Sequence, residues 1–564
     1  MLIFNKIKVM KTFISDISLR RIAIYSAILS IGLLAGCNEK FLDKQPLDQL
    51  STASFWKTES DALLGLTGVY FLEGEGPNTS SSQQREFWNQ DNYLRQFEAT
   101  TDNGFEKDNE VTDINSGNLI STYSPVNDLW RTSYVKIAKC NNFLGNISSV
   151  IMDETRRAQM IAEVRTIRAY DYFYMAFLWG DVPLVTKVQS VQEANTVTRN
   201  PRADVINFAL SELQAAITDL PVTRPDAEKG RITKGGALGI LGRVFLEEKR
   251  WTEAAATYKQ IIDLGIYIID PSFSNLFLIA GENSKEVILS SKRLPNVYGN
   301  SILLSCLGFT WGGFHHYSPF NGELQDFECT DGKPITESPL YNIDNPYANR
   351  DPRLLKTFFI NNVTVFKGSK YISSPDSSAT KYPDQLTRRP WSGYALLKFC
   401  DPNYSGDVRE YGCDFAMIRY AEVLLSYLEA NLEAGVPVTR ALLDQTINKV
   451  RGRTEINMPP VTETDPTKLR VILRRERRNE LAWEGLRLFD LYRWHIAHIV
   501  LNAKFYGMKL CTSAQAATYT KFPVDAQGYY YVKLKAFREN VDYLWPIPQR
   551  ERDVNPNLSQ NPGY

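Results

Sequence analysis

The sequence predicts a mostly α protein: a tetratricopeptide-like scaffold of helical hairpins with a loop-rich irregular region carrying short strands. Three observations predict it. Apolar residues recur at helical spacing over long runs without proline. Small residues face each other across short breaks, as stacked helix pairs require. Between residues 286 and 411 that stripe vanishes, leaving brief β-prone runs among Gly, Pro, Asn and Asp.

Taken in order, residues 55–70 read as the first helix after the N-terminal segment, with Phe55, Leu63, Leu66 and Tyr70 on one stripe. A second helical section begins near Trp130. Residues 156–179 continue it through Ile161, Val164, Ile167, Tyr172 and Ala176, and Gly180 followed by Pro183 stops it. Residues 204–220 pair with that helix. Residues 233–246 and 251–264 form the most legible hairpin, with Ala237, Gly242 and Ala254 where two helices must approach closely. Residues 419–435 with 441–451, and then 469–494, complete about four degenerate hairpins. The expected organisation is one domain over 37–564: a helical part to 285, the irregular insertion 286–411, and a helical part with a tail over 412–564.

The stretch 474–494 contains no proline, and its one glycine, Gly485, sits well inside, so it reads as one continuous helix. Glu476, Glu480 and Glu484 then stack at i, i+4, i+8, a like-charge row that costs a few tenths of a kcal/mol per pair (~0.2–0.5) on an isolated helix. Arg477 and Arg487 are placed to offset it, and the surplus of forked guanidinium donors predicts Arg–carboxylate networks to neighbouring segments. A glycosidase acid/base pair is the rival reading of Glu480 and Glu484. Such carboxyls flank a sugar at about 5–9.5 Å, whereas neighbours on one helix face point the same way. The stretch therefore reads as architecture.

Lys+Arg and Asp+Glu balance at 64 each, which supplies no field for nucleic acid. Lys6, Lys8, Lys11, Arg20 and Arg21 precede a short apolar run, residues 22–34, ending in Leu34-Ala35-Gly36-Cys37. This is the pattern of a secretory signal peptide over 1–36, whether translation starts at Met1 or Met10. Its ending resembles a bacterial lipobox, which implies cleavage before Cys37 and lipidation (palmitate) of that residue. The other six cysteines form no CxxC pair and read as buried thiols, although pairing outside the cytoplasm is open.

Catalytic apparatus is sparse: no G-x-S-x-G elbow, Walker loop or dinucleotide fingerprint occurs, and no catalytic residue is assigned. Asp102, Glu106, Asp108, Glu110 and Asp113 could supply oxygens to Ca2+, but they miss the EF-hand spacing and read as a solvated acidic loop. His495 and His498 stand at i, i+3 without a third ligand in their motif, so no metal is assigned. The most suggestive cluster is residues 309–320, where Trp311, Phe314, His315 and Tyr317 fall in a Gly/Ser/Pro-containing loop. Aromatic faces on loops suit the C–H faces of sugars, and Asn321, Glu323 and Asp326 nearby suit hydroxyls. The bland alternative is that these rings plug the loop region onto the scaffold.

Several separate motifs share one resemblance. Cys37 with Phe41-Leu42-Asp43 and Pro46, Asn349-Arg350-Asp351-Pro352-Arg353-Leu354, Gly393-Tyr394 with Lys398, Glu476-Arg477 through Arg493-Trp494, and the tail Leu544-Trp545-Pro546 to Asn561-Pro562-Gly563-Tyr564 together resemble the SusD/RagB family. That resemblance implies a non-catalytic, lipid-anchored protein of the cell outer membrane, facing outward. Such a protein captures an oligosaccharide or peptide and delivers it to a SusC-type TonB-dependent transporter. It implies ligand contacts from the irregular half and from the segment after the first helix, here Trp88, Asn89 and Tyr93. Arg350 and Arg353 are expected to partner carboxylates of the 474–494 stretch. The rival functions are an extracellular glycoside hydrolase and a tetratricopeptide scaffold without a small ligand.

Overall fold

The computed structural model describes residues 55–71, 97–106, 114, 116–375 and 383–564. Cys37, Trp88, Asn89, Tyr93, Asp108, Glu110 and Asp113 lie outside the described residues. Helix α1 (Glu59–Tyr70) starts at a capping box in which Thr58 and Asp61 exchange hydrogen bonds. It begins four residues later than its apolar stripe suggests. Helices α2 (Ser124–Asn146), α3 (Glu154–Trp179), α4 (Arg202–Asp219), α5 (Lys234–Glu247) and α6 (Trp251–Asp263) follow. Asp153 caps α3, which ends at Gly180, and Thr233 caps α5.

Each of these helices packs on the next in chain order, and the row continues from α6 to α8 (Tyr420–Glu433) and from α8 to α10 (Pro466–Glu480). The short helices α7 (Pro352–Thr357) and α9 (Ile447–Arg451) lie alongside. The result is the predicted stacked-helix scaffold. Its contact at α5/α6 depends on Gly242, where a Cβ would meet the Tyr258 ring at 2.6 Å. The second helix of the hairpin expected over 419–435 and 441–451 is ragged, because Thr446 leaves helical geometry and splits it in two. Among the described residues no helix is long and apolar enough to cross a membrane.

Short antiparallel pairs lie within the irregular region, bridge from it to the flanking parts, and in one case fall in the C-terminal part. Strand β2 (Val287–Ser291) pairs with β8 (Phe415–Arg419), and this register puts Arg419 at the entrance to α8. The others are β1 (Gly104–Phe105) with β3 (Ser318–Pro319), β4 (Phe358–Phe359) with β7 (Ala395–Leu396), the hairpin β5 (Val365–Phe366) and β6 (Ser369–Lys370), and β9 (Lys504–Lys509) with β10 (Tyr529–Leu534). The tail is a clasp. Trp545 packs edge-on against Trp179, the Trp179 indole donates to the Pro546 carbonyl at 3.1 Å, and Asn561 donates to the carbonyls of Trp179 and Trp545.

The stretch 474–494 is not one helix. Helix α10 stops at Glu480, Trp483 and Gly485 take positive φ (61° and 82°), and α11 (Arg487–Arg493) starts anew. The cause is a long-range partner: Glu98 Oε1 accepts the Gly485 and Leu486 N–H groups at 2.8 and 3.1 Å, satisfying donors that helix continuation would have used. Glu484 therefore leaves the expected like-charge row. Arg477 pairs with Asp490 and Arg487 with Asp102, rather than with Glu480 and Glu484.

The predicted ionic network is present and buried. Glu480, 0% exposed, receives Arg419 and Arg453 on one oxygen and Arg353 on the other, at 2.7, 2.8 and 2.8 Å. Arg353 also binds Asp351 and Glu476. Glu484 takes Arg419 and Lys398, both at 2.6 Å, and Glu286 takes Arg419 and Arg453. Burial opposes ionisation of Glu480, but the three guanidiniums outweigh it and hold the carboxyl far below its ordinary range. Arg350 departs from expectation: its guanidinium donates to the carbonyls of Pro346, Leu324 and Phe327, not to carboxylates of that stretch.

The start of the supposed acidic loop is also buried. Asp102 sits between Arg478 and Arg487, which overcome its desolvation and keep it ionised. Glu106 is buried too. Lys535 donates to the carbonyls of Ala99, Thr101 and Gly104. Asp102 is thus part of a plug against α10 and α11, Glu106 lies buried near His316, and neither presents a free oxygen face to a solvent cation.

Candidate functional site

The aromatic loop is held from below. Residues Phe309–Trp311 form one short helical turn, closed by Gly312 at positive φ. Asp384 accepts the Phe309 N–H at 2.8 Å and the Thr310 hydroxyl at 2.7 Å. His315 is 0% exposed and donates from Nδ1 to the Cys306 carbonyl at 2.9 Å. Burial pushes its pKa down to about 4, against the opposing pull of Asp384, so the ring is neutral at pH 7. His315 is therefore a strut for the loop. Tyr317, 1% exposed, turns inward to pack on Trp483. As they stand, neither ring faces solvent.

Trp311 and Phe314 are half-buried and keep part of their surface outside. Trp311 lies stacked on Phe359, with centroids 5.4 Å apart, while Phe366 meets it edge-on at 5.2 Å. A ring clamped by aromatic neighbours is preorganised, so a ligand need not freeze its rotamers. Phe314 stacks with His316 at 5.6 Å and touches Phe309 at 6.1 Å. The exposed Arg388 covers Phe309 at 4.5 Å. The outcome is a small apolar pavement in two ring groups, Trp311 with Phe359 and Phe366, and Phe314 with His316 and Phe309, the second bordered by the Arg388 cation. Phe309 and His316 fall within the predicted cluster 309–320, whereas Arg388 lies outside it. Arg388 arrives from a distant loop with no local signal.

The polar residues expected beside the rings are otherwise engaged. Asn321 accepts from the Tyr394 hydroxyl, Glu323 accepts from the Trp483 indole at 2.8 Å, and Asp326 binds Arg478. Burial raises the Glu323 carboxyl well above its usual range. The pavement thus offers ring faces more than carboxylates. A separate groove of about 420 Å³ runs on the helical side, where Trp130, Tyr134, Val185 and Glu551 contribute walls.

The six cysteines at and beyond Cys140 are free thiols, five buried and Cys511 partly so. Glu480 and Glu484 are closed off by their guanidinium and ammonium partners, so no sugar reaches them as an acid/base pair.

A row of stacked helical pairs, closed by a C-terminal clasp and overlaid by a loop-rich half, defines a tetratricopeptide-like scaffold protein with a loop-borne aromatic surface. Residues 296–564 match the model of the SusD family, and residues 40–246 match the one described as starch-binding associating with outer membrane. The structure is similar to that of a SusD-like carbohydrate binding protein from Bacteroides fragilis, with a TM-score of 0.84, 38% identity, and coverage of 90% of this chain and 100% of that one. The chain belongs to the SusD family. It is also similar to SusD-like protein P25 of Formosa agariphila, 22% identical over 96% of this chain and 99% of the relative. The starch-binding protein SusD of Bacteroides thetaiotaomicron is 22% identical over 95% and 97% respectively.

Proposed function

We propose that this protein is a non-catalytic lipoprotein of the outer-membrane surface that binds an oligosaccharide and passes it to a SusC-type TonB-dependent transporter. Cys37 carries the lipid. The observation that carries the reading is the clamped, half-exposed Trp311 on the same loop as the half-exposed Phe314, in a chain 38% identical to a SusD-like carbohydrate binding protein. Ring faces of this kind match the C–H face of a pyranose. Trp88, Asn89 and Tyr93 complete the ligand contacts from the segment after α1, and the helical row presents the transporter-facing surface. Binding without turnover fits the state of Glu480 and Glu484, whose oxygens are committed to buried cations.

Native gels containing a panel of polysaccharides test the reading. Wild-type protein is expected to be retarded by at least one glycan, and Trp311→Ala to lose that retardation while melting cooperatively. Equal retardation of wild type and variant would remove the pavement from the account. Absence of retardation by every glycan would shift the ligand towards peptides and favour a scaffold without a small ligand.

A further inference from the structure

His495 and His498 lack a third ligand in the sequence around them, and the fold supplies one. Glu539 Oε1 lies 3.7 Å from His495 Nε2 and 3.3 Å from His498 Nε2, and the three candidate donor atoms all fall within 4.8 Å of one another. Zn–N bonds of about 2.0–2.1 Å in a tetrahedron separate neighbouring ligand atoms by roughly 3.3–3.4 Å. The two separations from Glu539 are therefore close to the edges of a tetrahedral site. The side chains are 58%, 21% and 52% exposed, so a cation can enter and a water can fill the remaining position.

Two further features orient the imidazoles. The Tyr543 hydroxyl lies 2.8 Å from His498 Nδ1, and an Nδ1–H donated to it leaves the Nε2 lone pair directed at Glu539. The Tyr543 ring also stacks on His495 at 4.4 Å and 23°. His495 itself has φ 54° at the end of α11, where its N–H donates to the Tyr492 carbonyl and the Ile496 N–H to that of Leu491. This is the Schellman position that glycine usually fills, and an L-residue there costs about 1–2 kcal/mol. The helix end accepts that cost and places an imidazole beside His498.

We propose that His495, His498 and Glu539 form a binding site for a divalent transition-metal ion of the Zn2+ type. Two imidazoles and one carboxylate favour such an ion over Ca2+ or Mg2+, which prefer all-oxygen sites. The site would tie the end of α11 to the segment before the C-terminal clasp.

Equilibrium dialysis of the purified, chelator-treated chain against Zn2+ tests this, with Ca2+ as the control ion. Wild type should bind about one Zn2+ per chain, and His495→Ala and His498→Ala should each weaken binding by about tenfold or more. Tyr543→Phe should weaken it by up to about tenfold through the lost orienting bond. X-ray absorption of the loaded wild type should show imidazole scattering. The metal-free variants should melt with the metal-free wild type, since the changed side chains of the two histidines are partly or largely exposed. Zn2+ binding unaffected by these substitutions, binding abolished instead by Cys511→Ser, or no stoichiometric binding by wild type would overturn the proposal.

Discussion

Replacing Glu480 by Gln separates architecture from chemistry. The carboxylate is 0% exposed and faces three guanidiniums at 2.7–2.8 Å. Glutamine keeps one acceptor oxygen and turns an NH2 group toward a guanidinium, leaving buried positive charge uncompensated. Breaking such a pair costs about 3–5 kcal/mol. With an unfolding entropy of about 2.1 cal/mol/K per residue, roughly 500 cooperative residues lose about 1 °C per kcal/mol. Calorimetry should therefore show Glu480→Gln melting about 3–5 °C below wild type. Because its neighbours depress the Glu480 pKa, its contribution is present above the ordinary carboxylate pKa and disappears as pH falls through the folded value. The gap between variant and wild type should narrow in acid. A variant that melts with wild type at neutral pH while losing a glycan-cleaving activity would instead make Glu480 catalytic.

Three other perturbations follow from particular contacts. Burial raises Glu98 to about 7, so its contribution is complete below the ordinary carboxylate pKa of 4.5 and is lost as pH rises through 7. Glu98→Gln should flatten the decline in melting temperature over that window by up to about 3 °C, the equivalent of about 3 kcal/mol, and superimposable pH profiles would count against it. At the α5/α6 contact, Gly242→Val drives methyl groups into Tyr258 and should cost about 1–3 kcal/mol in urea unfolding; an unchanged midpoint would mean that the helices can separate freely. Trp483→Ala empties a fully buried site and orphans Glu323, and should lose about 3–5 kcal/mol in the same assay.

Local order was legible in the sequence wherever a helix met its neighbour in chain order. The α5/α6 hairpin is the clearest case, because 3.6-residue periodicity and small residues at the contact are local properties. The break at 481–486 was not legible: its donors are satisfied by Glu98, nearly four hundred positions away in the chain. The acidic segment misled for the same reason. Asp102 looks like a solvated charge until Arg478 and Arg487 arrive from the other end of the chain. At the aromatic loop, composition revealed that rings gather there but not which way they point. Trp311 and Phe314 retain outward surface, while His315 and Tyr317 support the loop from within. The third member of the His495–His498 cluster was hidden because Glu539 approaches through tertiary structure alone.

Capture of a glycan without turnover can be checked in one incubation. The purified protein would be titrated calorimetrically with the glycan that retards it, and the same mixture held for many hours before the glycan is sized by chromatography. Saturable binding is expected, reduced or lost in Trp311→Ala, with the length distribution of the glycan unchanged. Shortened products that depend on the protein, or wild-type protein that binds no glycan at all, would contradict it.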